Sequence, residues 1–321
     1  MRPELTQATE LLRRETPEAI EEAIGLLQRT VYSFSMKVCG HPEDAEDTMQ
    51  EVLFRSLPHL VKIKEPRALA VWLYTVTRNR CWRMRRKSAN APKQMVALDE
   101  LMPDEAELGR LLADAAESPE GNAVHSEQTH LLHQAVLRIP AALRMVLVLH
   151  DMEELDTDQV AAILGLQAGT VRVRLHRARL SVRKEMAKML DKPAAKKAPA
   201  KRTAKTGTAI AKGNDRPPEC RELFANLSEY MDGRIEAPTC DQMREHIEAC
   251  PACVAFLREL RTAIDRCRAL DIPCDSAVAP RLRSILTQEY LRMLGMGTLK
   301  TLHKAVTKSS LHGFNHAKRE G

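Results

Sequence analysis

Residues Asp156–Lys188 read DTDQVAAILGLQAGTVRVRLHRARLSVRKEMAK, and this stretch decides how the rest of the chain is read. Asp156 is a good acceptor for the first N–H groups of a helix, and Val160, Ala161, Ile163 and Leu164 then form an apolar helical face that stops at Gly165. Leu166 to Thr170 is a short turn. In the helix expected next, Val171, Leu175, Ala178 and Val182 recur at i, i+4, i+7 and i+11 as an apolar keel. Arg172, Arg174, His176, Arg177 and Arg179 point elsewhere. Thr170 to Lys188 holds seven basic residues and one acid. A short helix, a glycine-containing turn and a second helix with arginines beside its keel suit docking in the major groove of DNA. There guanidinium forks read guanine edges or grip phosphates.

Outward from this stretch the same helical periodicity continues, with no segment of clean strand alternation and no internal repeat, so the fold class is all-α. With 321 residues the chain has room for two or three domains. Composition divides it into an aromatic-bearing helical block at 15–88, an acidic linker at 89–125 and a helical block without Phe, Tyr or Trp at 126–190. A basic low-complexity linker at 191–217, a cysteine-bearing block at 218–275 and a final amphipathic helix with a polar tail at 276–321 complete it. The net charge of +6 belongs to the second linker, where eight basic residues meet two acids. Local rather than net charge therefore marks the segments suited to nucleic acid. No window approaches the ~18 apolar residues of a membrane span, and the first ten residues carry no apolar signal core. A cytoplasmic chain is expected, in which cysteines serve metal or redox chemistry rather than a disulfide framework.

In the first block, Ala45, Met49, Val52, Leu53 and Leu57 form an apolar stripe behind His41-Pro42, with Asp44, Asp47, Gln50 and Glu51 on the polar side. Further on, Arg78, Arg80, Arg83, Arg85, Arg86 and Lys87 interleave with Trp72, Tyr74 and Trp82. Stackable rings beside cations are what unpaired bases need. In the cysteine-bearing block, Cys220, His246, Cys250 and Cys253 are spaced C-x25-H-x3-C-x2-C. His246 and Cys250 share one face of a helix ended by Pro251, and three thiolates plus an imidazole suit a closed tetrahedral Zn²⁺ site. Cys240, six residues before His246, would lie ~9 Å away along the axis and is a poor alternative. Cys267 falls on an apolar face, as a core residue would.

The segment IPAALRMVLVLHDMEELDTDQVAAILGLQAGTVRVRLHRARLSVRKEM resembles region 4 of bacterial extracytoplasmic-function sigma factors. DAEDTMQEVLFRSL with AVWLYTVTRNRCWRMRRK resembles their region 2, in the same order along the chain. The resemblance implies that Thr170, Val171, Arg172, Arg174, His176, Arg177 and Arg179 read the upstream, minus-thirty-five promoter element. It implies that Trp72, Tyr74, Arg78, Asn79, Trp82 and Arg83 capture the melted minus-ten strand. Asp44, Asp47, Gln50 and Glu51 would dock on core RNA polymerase. Val173 departs from the family, which usually has a small polar residue there, and bears on which bases are tolerated.

The segment ECRELFANLSEYMDGRIEAPTCDQMREHIEACPACVAFLREL resembles zinc-binding anti-sigma domains, which are usually separate proteins. Here it follows the sigma-like blocks on a tether, which implies intramolecular control of the sigma domains. The helix bearing Leu257, Leu260 and Ile264 extends that domain. The sequence shows no nucleophile–base set and no phosphate-cradling glycine loop, so no enzyme is expected. The rival reading is a stand-alone helix-turn-helix regulator with a structural zinc module; the region 2-like block speaks against it.

Overall fold

A computed structural model describes residues 2–85, 125–190, 227, 230–233, 244–245 and 251–296, with the side chains of 83–85, 125–128, 190 and 251–253 outside the description. Every regular element among the described residues is helical. The first four helices are α1 (Pro3–Arg14), α2 (Pro17–Cys39), α3 (Pro42–Leu60) and α4 (Pro66–Arg85). Prolines open α1, α2 and α3 where a missing N–H costs nothing. Thr16 caps α2 by accepting from the Ala19 N–H, and Gly40 ends it in the left-handed region at φ 82°.

α5 (His125–Arg138) and α6 (Ala141–Leu147) follow, and α6 runs straight into a π-helical turn, Val148–Met152. α7 (Thr157–Leu164) and α8 (Ala168–Leu190) complete the second group. Beyond them α9 (Pro251–Ala269) and α10 (Ala279–Met293) return to the body of the molecule. Residues 89–124, the 191–217 linker and residues 218–226, 228–229, 234–243 and 246–250 of the cysteine-bearing block lie outside the described residues, while His125, read as the last residue of the acidic linker, opens α5.

One contiguous apolar core joins the two groups of helices. It runs from Leu5 and Phe34 through Leu73, Val146 and Leu175 to Leu282 and Tyr290. Two of its contributors lie outside the blocks read from sequence as sigma-like. α1 packs on α2 with Leu5, Ala8, Leu11 and Leu12 buried. α10 lies on α2 and α3. Its seat on α2 is a polar one: buried Gln28 donates to the Ala279 carbonyl (2.9 Å) and accepts from Arg283 Nε (3.1 Å). Gly25 leaves room for that guanidinium, since a Cβ there would sit 3.2 Å from Arg283 Cζ.

A buried ionic cluster ties the groups together. Lys37 of α2, fully enclosed, bonds Glu153 Oε1 at 2.8 Å, and the Tyr74 hydroxyl of α4 donates to Glu153 Oε2 at 2.6 Å. Arg2 joins from the chain's start, donating to the carbonyls of Met152 (2.5 Å) and Leu270 (3.2 Å). Arg144, also buried, donates to the Val38 carbonyl at 2.7 Å. Leu137 fills the space where a side chain at Gly40 would stand, with its Cδ1 2.6 Å from the Cβ position.

Burial, followed by the Glu153 carboxylate, pushes the Tyr74 hydroxyl well above its ordinary range. A pKa raised on folding contributes stability that is fully present below the unfolded value and is lost as pH rises through the folded one. Stability read from urea midpoints is therefore expected to fall once pH passes about 10, and less steeply in Tyr74→Phe.

Candidate nucleic-acid interface

The two-helix unit forms, with a shorter turn than its sequence predicts: α8 begins at Ala168, so Ala168, Gly169 and Thr170 are its first turn rather than part of the loop. Asp156 accepts from the Gln159 N–H at 2.8 Å while the Gln159 side chain accepts from the Asp156 N–H at 3.0 Å, a reciprocal capping box. Gly165 ends α7 in the left-handed region at φ 64°. The keel residues Val171, Leu175, Ala178 and Val182 are all buried. On the opposite side of the first turns of α8, Arg172 and Val173 face solvent, with Val173 54% exposed, and Thr170, Arg174 and Arg177 are half-buried.

Three of the residues expected to read the upstream element are elsewhere. Val171 lies in the core because it is the first residue of the keel. His176 is buried. Arg179, 2% exposed, is held in the interior by two carboxylates. Its Nε and Nη2 meet the Asp151 oxygens at 2.8 Å each, and its Nη1 and Nη2 meet those of Asp232 at 3.1 and 3.0 Å. The π-turn makes this possible by turning Asp151 inward within an apolar run. Burial alone would raise the Asp151 carboxyl, but the Arg179 hydrogen bonds reverse it and hold the group well below the usual carboxylate range. Arg183, one turn on, pairs with Glu259 of α9 at 3.2 Å and lies 4.8 Å from the Phe256 ring centroid. The second half of α8 is thus covered by α9 and by the Asp232 turn, while its first half stays open.

In α4 the outcome is also divided. Tyr74, expected on the strand-capturing face, is in the core as described. Trp72 is half-buried with its ring 4.7 Å from that of His59. Arg78 donates to the Ile163 carbonyl of α7 at 3.0 Å, so it is engaged by the helix-turn-helix unit. Asn79 is exposed and Trp82 is 40% exposed; the Arg83 side chain lies outside the described residues. On α3, Asp47 is exposed, Asp44 and Gln50 are half-buried, and Glu51 pairs with Arg80 (2.7 Å) and Arg55 (3.0 Å). Phe54, 46% exposed one turn beyond Gln50, adds to that face an apolar residue that the polar pattern of α3 does not announce.

Cys220, His246 and Cys250 lie outside the described residues, as does the Cys253 side chain. Among the described residues no cluster of His, Cys, Asp or Glu is placed to hold a metal. Cys267 is buried, as its apolar face predicts. Among the described residues no helix is long and apolar enough to cross a membrane.

Three segments match known families: residues 24–91 the sigma-70 region 2 family, 129–182 the sigma-70 region 4 family, and 220–253 a zinc-finger family. The chain is 29% identical over 206 residues to the "Probable RNA polymerase sigma factor RfaY" of Xanthomonas campestris pv. campestris, covering 62% of this chain and 50% of that protein. It is 26% identical over 179 residues to the ECF RNA polymerase sigma factor SigW of Bacillus subtilis, covering 54% of this chain and 92% of that one. A solved structure of the sigma factor RpoE in complex with the anti-sigma factor NepR from Bartonella quintana covers 50% of this chain and 92% of its own, with 20% identity and a TM-score of 0.36.

The stretch from within α2 through α4 and the stretch from α5 into α8 therefore carry sigma-70 regions 2 and 4, the parts that support promoter-directed initiation of transcription, while α1 lies outside the match. Within that class SigW is an extracytoplasmic-function sigma factor, and the chain fits such a factor with an anti-sigma-like zinc-finger segment fused behind it. Sigma factors are initiation factors without catalytic activity of their own.

Proposed function

We propose that this chain is a cytoplasmic sigma factor that directs core RNA polymerase to specific promoters, and that its C-terminal part holds regions 2 and 4 in a closed arrangement that opens for promoter use. One observation carries the closed arrangement. The same C-terminal stretch covers the second half of α8 through Asp232, Phe256 and Glu259, and covers α2 and α3 through α10. Distance adds the physical necessity. Elements named for positions minus thirty-five and minus ten lie ~25 base pairs apart, on the order of 80 Å at 3.4 Å per step. Two DNA-reading units in mutual contact do not reach both. The 39 residues between Arg85 and His125 have the covalent length to let them part, at most ~140 Å when fully extended.

In the open form, Thr170, Arg172, Val173, Arg174 and Arg177 on α8 are the readers of the upstream element. Asn79 and Trp82, with Arg83 and the Trp72 ring, would receive the melted strand, and Asp44, Asp47, Gln50 and Glu51 would meet the polymerase. Arg172→Ala is expected to weaken promoter binding and to lower the slope of log affinity against log salt by about one if its contact is to phosphate. An unchanged affinity and slope would remove Arg172 from the interface.

The donor set of the zinc-finger segment fits a structural ion. Cys220, His246, Cys250 and Cys253 supply three thiolates and an imidazole, and four protein ligands leave no open position for chemistry. Zinc there would fasten the segment that leads into α9. Elemental analysis of the full chain is expected to find about one zinc per chain, and the Cys250→Ala, Cys253→Ala variant close to none. Equal zinc in both would exclude these ligands.

A further inference from the structure

Two thiols within region 2 have no part in the function described. Cys39 is the last residue of α2, half-buried, and Cys81 lies fully buried near the end of α4. Neither is a ligand of the zinc-finger set. They meet at a junction of three helices: Cys81 Sγ donates to Ser35 Oγ at 3.9 Å, and the side chains of Cys39 and Thr48 are also in hydrogen-bond contact with it. Ser35 and Cys39 are one turn apart on the same face of α2, and Thr48 comes from α3. Those hydrogen bonds, the one from Cys39 foremost, hold the Cys81 thiol below its ordinary pKa against a burial that would raise it. The contrast with two other described thiols is direct, because burial pushes both Cys267 and Cys274 up. A thiolate is the reactive form in sulfur exchange.

We propose that Cys39 and Cys81 are a peroxide-reactive pair that closes to a disulfide inside region 2. Cys39 is the half-buried residue of the two, and Cys81 is enclosed. The Cys39 proton passes to the Cys81 sulfur that it faces, the Cys39 thiolate attacks one oxygen of hydrogen peroxide, the O–O bond breaks, and Cys39 becomes a sulfenic acid while the departing hydroxide takes the proton back from Cys81 and leaves as water. The Cys81 thiolate then attacks the Cys39 sulfur, the S–O bond breaks, and the second oxygen leaves as water. Two thiols lose two electrons and two protons; one peroxide is reduced to two waters.

Bonding draws the sulfurs from hydrogen-bond contact to about 2.05 Å. The end of α2 has little slack, because Leu137 of region 4 fills the space at Gly40 and Arg144 holds the Val38 carbonyl. The last turns of α4 therefore take up the movement, and they carry Asn79 and Trp82 on either side of Cys81. Oxidation is expected to lower promoter opening. This functional consequence rests on the region 2 reading; formation of the disulfide does not.

The test treats the full chain with hydrogen peroxide, blocks remaining thiols, digests with trypsin without reductant and maps the linked peptides. The expected product joins Val38–Arg55 to Cys81–Arg83, disappears on reduction and is absent from Cys39→Ser and Cys81→Ser. Cys81→Ser is expected to accumulate a Cys39 sulfenic acid that dimedone traps. Peroxide that oxidises other cysteines while leaving these two as alkylatable thiols overturns the proposal, as does Cys39 bonded to any other partner. In parallel, the wild-type chain with core polymerase on a duplex promoter is expected to lose initiation at least several-fold on oxidation, and Cys39→Ser to keep it. A mapped Cys39–Cys81 bond with unchanged initiation would overturn the consequence. A reduced chain that directs no initiation would instead overturn the sigma reading and leave the peptide result standing.

Discussion

Arg179→Ala is expected to cost about 3–5 kcal/mol of stability, the range found when one partner of a buried ion pair is removed. Asp151 is fully enclosed, and the polar side chain that would remain beside it without the guanidinium is His150, with Nδ1 at 2.9 Å. The effect is asymmetric. Asp232→Ala removes a carboxylate that still reaches solvent and leaves the Asp151–Arg179 pair in place, so the body of the fold should survive that change. Its loss should fall on the hold between α8 and the C-terminal stretch. Urea denaturation of the three proteins at neutral pH measures this. A large shift for Arg179→Ala and a small one for Asp232→Ala is the expected pattern, and equal shifts would show that the two carboxylates are equivalent. Because the Asp151 carboxyl is held low by its partner, its contribution is present at neutral pH and fades only in acid, as pH falls through the folded pKa.

The second large effect concerns release of the closed form. If the chain is promoter-competent only when opened, its apparent affinity for promoter and polymerase is lowered by the open fraction. A hold of about 1.4 kcal/mol would make that a factor of ten. Asp232→Ala in the full chain, which removes one ion pair from the hold, is expected to raise initiation several-fold at limiting concentration. A chain ending at Leu190, which removes α9 and α10 altogether, is expected to exceed it, by about tenfold or more over the full chain. Initiation that is the same for all three would mean that the C-terminal contacts do not oppose promoter use.

What could be read from the sequence was whatever depends on local pattern. The keel of α8, the Asp156 cap and the Gly165 stop are all determined within a few residues, and they form as read. So does the fold class, because no stretch alternates with period two. The misplacements share a cause. Periodicity says which side of a helix a residue occupies and not what lies against that side. Arg179 is off the keel, but Asp151 and Asp232 meet it there. Tyr74 precedes the arginine run by one helical turn, but its own side of α4 faces Glu153. Asp151 and Glu153 come from a single segment, HDMEEL, whose π-turn and positive φ at Glu154 (57°) have no signature in composition. The pairing of Lys37 with a residue 116 positions later is equally invisible to a local reading. α10 was legible as an amphipathic helix without a destination. Gln28, buried on α2 between Ile24 and Val31, meets that destination through its amide, a pairing that no local pattern announces.

The most direct test of the central claim is promoter-specific transcription by core RNA polymerase supplied with this chain. Templates selected from genomic DNA by binding to the chain–polymerase complex would serve, with run-off products mapped to their starts. The account predicts defined starts that require the chain, weak with the full-length protein and strong with the chain ending at Leu190. No defined start with either form, while both bind DNA without polymerase, would contradict it and leave a stand-alone helix-turn-helix regulator as the reading of the fold.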